Sequence, residues 1–151
     1  RAIYEEDRSP VYLDSCVEFF VKRPTDEHYI NFDFNCIGTC DASFRLSREE
    51  KTDLTPKQLA LIRRHSSLPK ASFKEKASTQ GWHLLVSIPF ALIGLEKDHL
   101  PEKLLGNFYK CAGKSSQPHY LSWSPIVSEK PNFHLPDFFG KLNIKQFLGC
   151  V

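Results

Sequence analysis

Between Tyr29 and Cys36 the residue types alternate without a break: Tyr29, Asn31, Asp33 and Asn35 fall on one parity, Ile30, Phe32, Phe34 and Cys36 on the other. Successive side chains of an extended strand point to opposite faces, so this run packs an apolar face on a core and turns a polar face away from it. Upstream, Val11, Leu13, Val17, Phe19 and Val21 share one parity and predict a half-buried strand over Cys16 to Lys22. Arg23-Pro24-Thr25-Asp26 reads as the turn between the two runs, and so short a link predicts an antiparallel hairpin. Gly38 marks the next turn, leading to Phe44-Arg45-Leu46 as the third strand of a meander.

Further along, Ser47 to Ser78 is polar and charged and reads as a long decorated loop. It carries one short helix, with Thr55 as cap, Pro56 in the first turn, and Leu59, Leu61 and Ile62 behind. Trp82, Leu84, Val86 and Ile88 then share one parity until Pro89 removes a donor and ends the strand. More strands are expected over Leu104 to Cys111, His119 to Ser124, and near Phe139 to Phe147. Six or seven short strands without alternating helices predict an all-β fold of two packed antiparallel sheets, a β-sandwich with one short helix in a long loop.

A length of 151 residues fits one domain spanning 1–151, and 41% apolar residues suffice for its core. Twenty Lys and Arg against eighteen Asp and Glu, scattered along the chain, form no stripe that would neutralise a run of phosphates, so nucleic acid is not an expected partner. No apolar stretch is long enough to span a bilayer. The chain has no methionine and opens on Arg1-Ala2-Ile3-Tyr4, which reads as mid-strand; an upstream segment, with N-terminal strands, is expected to precede it. Five cysteines, Cys16, Cys36, Cys40, Cys111 and Cys150, are an odd and moderate number that fixes neither pairing nor redox compartment.

Several short signatures follow one another: Asp14-Ser15-Cys16-Val17-Glu18-Phe19-Phe20, Gly81-Trp82, Ser87-Ile88-Pro89-Phe90, and Leu121-Ser122-Trp123-Ser124-Pro125. The last is Phe133-His134-Leu135-Pro136-Asp137-Phe138-Phe139-Gly140, with its Pro-x-x-Phe-Gly close. In this order they resemble the family 9 carbohydrate-binding modules. The resemblance implies a jelly-roll-like sandwich outside the cytoplasm, periplasmic, secreted or at the cell surface. Such a domain binds oligosaccharide or polysaccharide without catalysis, beside an associated glycoside hydrolase such as a xylanase.

Such modules hold a terminal sugar between two aromatic rings while polar side chains bond its hydroxyls. Carried onto this chain, the resemblance gives Tyr12 and Phe133 as platforms, Glu18 as the motif carboxylate, Asn31 where the family pattern has Arg, and Lys110 as the later-strand donor. The chemistry suits these residue types: a pyranose presents C–H groups on its faces and hydroxyls at its edge, matching flat rings with polar neighbours. Two platforms and a few charge-assisted bonds predict millimolar to micromolar affinity, roughly 4 to 8 kcal/mol. Six residues of regular strand span about 20 Å, so Tyr12 and Glu18 can share one sugar only if the chain bends near Asp14-Ser15. By pattern alone Glu18 is an outward strand residue and Asn31, Asp33 and Asn35 the wet side of a sheet, while Trp82 and Trp123 read as core.

Other readings stay open at this stage. A glycosidase acting on xylan-type polysaccharide needs two carboxyls roughly 5 to 5.5 Å or 6.5 to 9.5 Å apart, whereas Asp14 and Glu18 on a regular strand stand about 13 Å apart. The expected bend leaves that distance undetermined. Cys111 with His119 or His134 lacks a recognisable nucleophile signature, and Cys36, Cys40 and His28 lack a second pair of zinc ligands. The resemblance implies no definite cofactor but admits structural calcium, for which Asp14, Asp33 and Asp41 are too dispersed to define a cage. A protein-binding sandwich using the loop Ser47 to Ser78 is the third class.

Overall fold

The structure, a computed structural model, describes residues 1–76 and 81–144. After a single 3-10 turn at Val11–Leu13 the chain enters a meander of β1 (Cys16–Lys22), β2 (Tyr29–Asn35), β3 (Cys40–Arg45) and β4 (Lys51–Asp53). A four-residue helix α1 (Pro56–Leu59) follows, with Thr55 as its predicted cap, here in a capping box with Gln58, and then β5 (Arg63–Ser66) and β6 (Leu84–Ser87). The chain returns through β7 (Lys103–Cys111), β8 (Tyr120–Ser122) and β9 (Gly140–Asn143). The main antiparallel sheet runs β4-β3-β2-β1-β7-β8, with β9 on the remaining part of β7; β5 and β6 make a second, two-stranded sheet. The fold is an antiparallel β-sandwich whose second layer is small.

The apolar parity builds the core as its alternation requires. Val21, Ile30, Phe32, Phe34 and Ala42 face Leu54, Leu59, Ile62, Leu92 and Leu95, and Leu84, Val86 and Ile88 of the small sheet close over them. The segment expected as a loop over Ser47 to Ser78 contains two strands as well as the helix, because β4 continues the meander and β5 supplies the partner of β6. Both are three or four residues long and mostly charged or polar, too short to show a period. The last predicted strand is present over Gly140–Asn143; residues 145–147, and Cys150, lie outside the described residues.

One expectation about the sheet is overturned. The polar face of β2 is not wet: every residue of Tyr29–Asn35 is buried. Phe20 of β1, Tyr29 and Tyr109 share that face with Asn31 and Asp33, and Phe139, Phe133 and His134 from the segment between β8 and β9 pack onto them. Hydrogen bonds couple this segment to the strands below. Asn107 of β7 donates to the Ser124 carbonyl and accepts from the Ser124 N–H, and the Tyr109 hydroxyl donates to the Phe133 carbonyl. Trp123, expected in the core, is 55% exposed and packs its ring edge on Phe108.

Gly106 marks the tightest crossing. A Cβ there would stand 2.6 Å from the Phe20 carbonyl oxygen and 2.7 Å from Leu142 Cδ1. The carbonyl belongs to the neighbouring strand and cannot rotate away, so Gly106→Ala is expected to destabilise by about 1 to 3 kcal/mol. Chemical denaturation would show it as a lower midpoint at unchanged slope.

Candidate functional site

A cavity of about 310 Å³ opens over the buried polar face, with Glu18, Asp33 and Asp41 on its floor. These carboxylates come from consecutive strands of the sheet: Asp33 pairs with Glu18 on one side and with Asp41 on the other. Directly opposite cross-strand residues have Cβ atoms about 4.5 to 5.5 Å apart, so the three form a row across the sheet. The cations Arg45, Arg48 and Lys51 line it as well, as do the rings of Tyr12, Tyr120, Phe133 and His134.

The bend demanded by the sequence exists. Tyr12 sits in the 3-10 turn at Val11–Leu13 and β1 begins only at Cys16, so Tyr12 is folded back toward the strand that carries Glu18. The buried Asp14 secures this turn: its carboxylate accepts from the backbone N–H groups of Ile3 and Tyr4, from Asn35 and from Arg1. Asp14 is therefore committed to the scaffold, and neither a catalytic pair with Glu18 nor a calcium cage with Asp33 and Asp41 can draw on it. The Tyr12 ring is 49% exposed. Phe133 is half-buried, stacked on Tyr109 with centroids 4.1 Å apart and planes 11° from parallel.

Of the expected site residues, Tyr12, Glu18 and Phe133 line one cavity. Asn31 lies just beneath it, wholly buried, where its Oδ1 accepts from Arg45 Nε at 2.6 Å and its Nδ2 donates to Asp33 at 3.0 Å. Lys110 is placed on the opposite face: it pairs with Val17, not Glu18, and its ammonium donates to the Cys111 carbonyl and meets His119. The buried guanidinium in the cavity is that of Arg45, which the sequence reading did not single out. The signal was there in its parity, since Arg45 shares a face with Asp41 and Ser43. His134 was weighed only as a partner of Cys111; the Tyr29 hydroxyl engages its Nδ1 at 2.9 Å and fixes the ring in the wall.

Burial governs the titration of this site. It pushes the Glu18 carboxyl well above the usual range, helped by the adjoining Cys111 thiol. Burial and then the Glu18 charge do the same to Asp33. His134 is pushed down to about 3 by burial and by Arg45, Arg48 and Lys51, so its imidazole is neutral at physiological pH. Burial also holds the Tyr29 hydroxyl protonated, up to about 12.

For the two carboxyls the folded state holds its protons longer than the unfolded chain, whose carboxylates titrate near about 4, so stability falls as pH rises from that value toward the raised ones. Glu18→Gln and Asp33→Asn keep an acceptor oxygen and remove the charge. In ligand-free thermal melts both variants are expected to match the parent near pH 4 and to exceed it increasingly toward pH 8. A gap independent of pH would show that neither carboxyl is raised.

A second hollow, about 430 Å³, lies between Arg1, Phe73 and Trp82 and is lined by no carboxylate among the described residues. No helix of the described residues is long and apolar enough to cross a membrane.

The model of carbohydrate-binding family 9 matches residues 1–144. Among solved structures, a protein from Bacteroides uniformis ATCC 8492 to which carbohydrate binding is ascribed superposes with a TM-score of 0.85 at 37% identity. The match covers 95% of this chain and 66% of that one, so this chain spans just under two thirds of the other's length. No curated protein matches.

Proposed function

This chain belongs to carbohydrate-binding family 9; from that premise we propose that it binds carbohydrate without catalysis and that the cavity over β1, β2 and β3 is where the sugar is held. The observation that carries the reading is the meeting, in one hollow, of two aromatic rings from distant parts of the chain with a floor of carboxyls and a buried guanidinium. In this reading a pyranose lies against Tyr12 and Phe133, whose faces exclude water from its C–H surfaces. Its hydroxyls bond to Glu18, Asp33 and Arg45, with Asn31 holding the guanidinium in place from below. Arg45 takes the cationic role expected of Lys110.

The cavity is closed on its floor by the sheet, which favours one or two sugar units at a chain end over an internal stretch of polymer. By family likeness we place the chain outside the cytoplasm, as one module serving an associated glycoside hydrolase on plant-type polysaccharide.

Calorimetric titration with xylobiose, cellobiose and their monosaccharides, run beside a reducing-sugar release assay on the matching polysaccharides, tests the reading. Binding at millimolar to micromolar affinity without release is the expected result. Release of reducing ends would restore the glycosidase, and silence in both assays would point to a protein-binding role.

A further inference from the structure

Where the floor of the cavity meets β7, Cys16 of β1 stands directly opposite Cys111, and Glu18, two residues further along β1 on the same face, reaches the Cys111 thiol at 3.1 Å. The two sulfurs and a Glu18 carboxylate oxygen all lie within 4.8 Å of one another. Cys111 and Glu18 line the cavity; Cys16, behind them, is wholly buried. We propose that Cys16, Glu18 and Cys111 form a binding site for a soft divalent cation of the zinc type, with the cavity side left for a water or ligand oxygen as fourth donor.

The spacing agrees with this chemistry. Tetrahedral zinc with Zn–S bonds of about 2.3 Å places two sulfurs roughly 3.8 Å apart, inside the observed envelope. The donors are held by the backbone, since Cys16 and Cys111 are register partners in adjacent strands and Glu18 pairs with Tyr109 in the same ladder. Charge favours it too. Three acidic groups are buried together, and no cation lies within ion-pair distance of Glu18 among the described residues. A dication would replace the thiol protons and leave a net charge of only about −1 on the site.

Two thiolates select zinc or cadmium over calcium or magnesium, which require oxygen donors. The other described thiols cannot substitute: Cys36 Sγ approaches the Arg1 carbonyl and Cys40 Sγ the Asp41 carbonyl, each away from this cluster. Metal binding here requires no sugar in the cavity, and it is read on the sugar-free protein.

The whole chain, reduced and freed of reductant under anaerobic conditions, is titrated with Cd²⁺ while the ultraviolet sulfur-to-cadmium charge-transfer absorbance is followed. One equivalent per chain is expected, displaced by Zn²⁺. Cys16→Ser and Cys111→Ser should each remove the band, and the double variant C36S/C40S should leave it unchanged. Glu18→Gln should keep the band but weaken affinity at least about tenfold. A reduced protein that gives no band, or a band that survives Cys16→Ser, overturns the proposal. Should the serine variants fail to fold, Glu18→Gln decides, because the amide keeps the shape of the carboxyl: parental Cd²⁺ affinity in that variant overturns the site.

Discussion

Truncating Tyr12 to alanine is expected to weaken sugar binding by about 2 kcal/mol, roughly thirtyfold, while the thermal midpoint of the free protein hardly moves. The ring is half exposed and packs in no core cluster of the described residues, so its removal opens no cavity. What ties this residue to its surroundings is its backbone: the Tyr12 carbonyl accepts from the Gly113 N–H and from the Cys111 thiol, and neither bond needs the side chain. Phe133→Ala provides the contrast. Phe133 stacks on Tyr109 and meets Tyr120 edge-on, so its truncation should lower affinity and stability together. Calorimetry with the best disaccharide and a melt of each variant separate the two patterns. Parental affinity in both variants would move the sugar elsewhere on the surface.

The second large effect lies under the cavity. Phe20 is wholly buried and stacks on Tyr29, meets the ring of Tyr109 edge-on at 4.9 Å, and touches His134 and Phe139. Phe20→Ala would leave a hole where the strands and the segment between β8 and β9 join, and is expected to destabilise by about 3 to 5 kcal/mol. Urea unfolding measures it. In a domain of ordinary stability so large a loss removes a major part of the folding free energy, and sugar binding should fall with it because the wall holding Phe133 and His134 loses its support. A cost under about 1 kcal/mol would mean that the segment between β8 and β9 contributes little to the fold.

The meander was legible because β2 alternates polar and apolar residue types throughout its seven residues and β1 keeps Val17, Phe19 and Val21 on one parity. The same alternation misled about the polar face. What covers the face of Asn31 and Asp33 is an irregular segment a hundred residues downstream, while Asn35 is held by Tyr4 and Asp14 of the N-terminal stretch; neither packing leaves a local pattern in β2. Tyr12, Glu18 and Phe133 could be named only through the motifs around them; nothing in residue type or spacing distinguishes Tyr12 from the chain's other tyrosines. Lys110 and Arg45 show where motif matching ended and register began. Which face a residue takes is set by its cross-strand partner, and pairing with Val17 turns Lys110 away while Asn31, across from Ser43, lets Arg45 reach in from the next pair along. Trp123 was read as core from its apolar neighbours, but it follows the end of β8 at the side of the sheet, where more than half of the residue is left exposed.

The division of the outer side of β7 carries a consequence for how this protein behaves in crowded solution. Nine residues long, β7 gives its residues 109–111 to β8 and its residues 103–106 to β9, and between them Phe108 accepts from Trp123. The longest strand thus offers no continuous run of unpaired amides to another molecule. What remains at the margins of the main sheet is three residues of β4, with Lys51 among them, and the short outer sides of β8 and β9. Margins this brief, with Lys51 on β4 and Lys141 on β9, are poor templates for intermolecular strand addition, so concentrated samples should resist the edge-to-edge association that leads to fibrils as long as β8 and β9 stay in place.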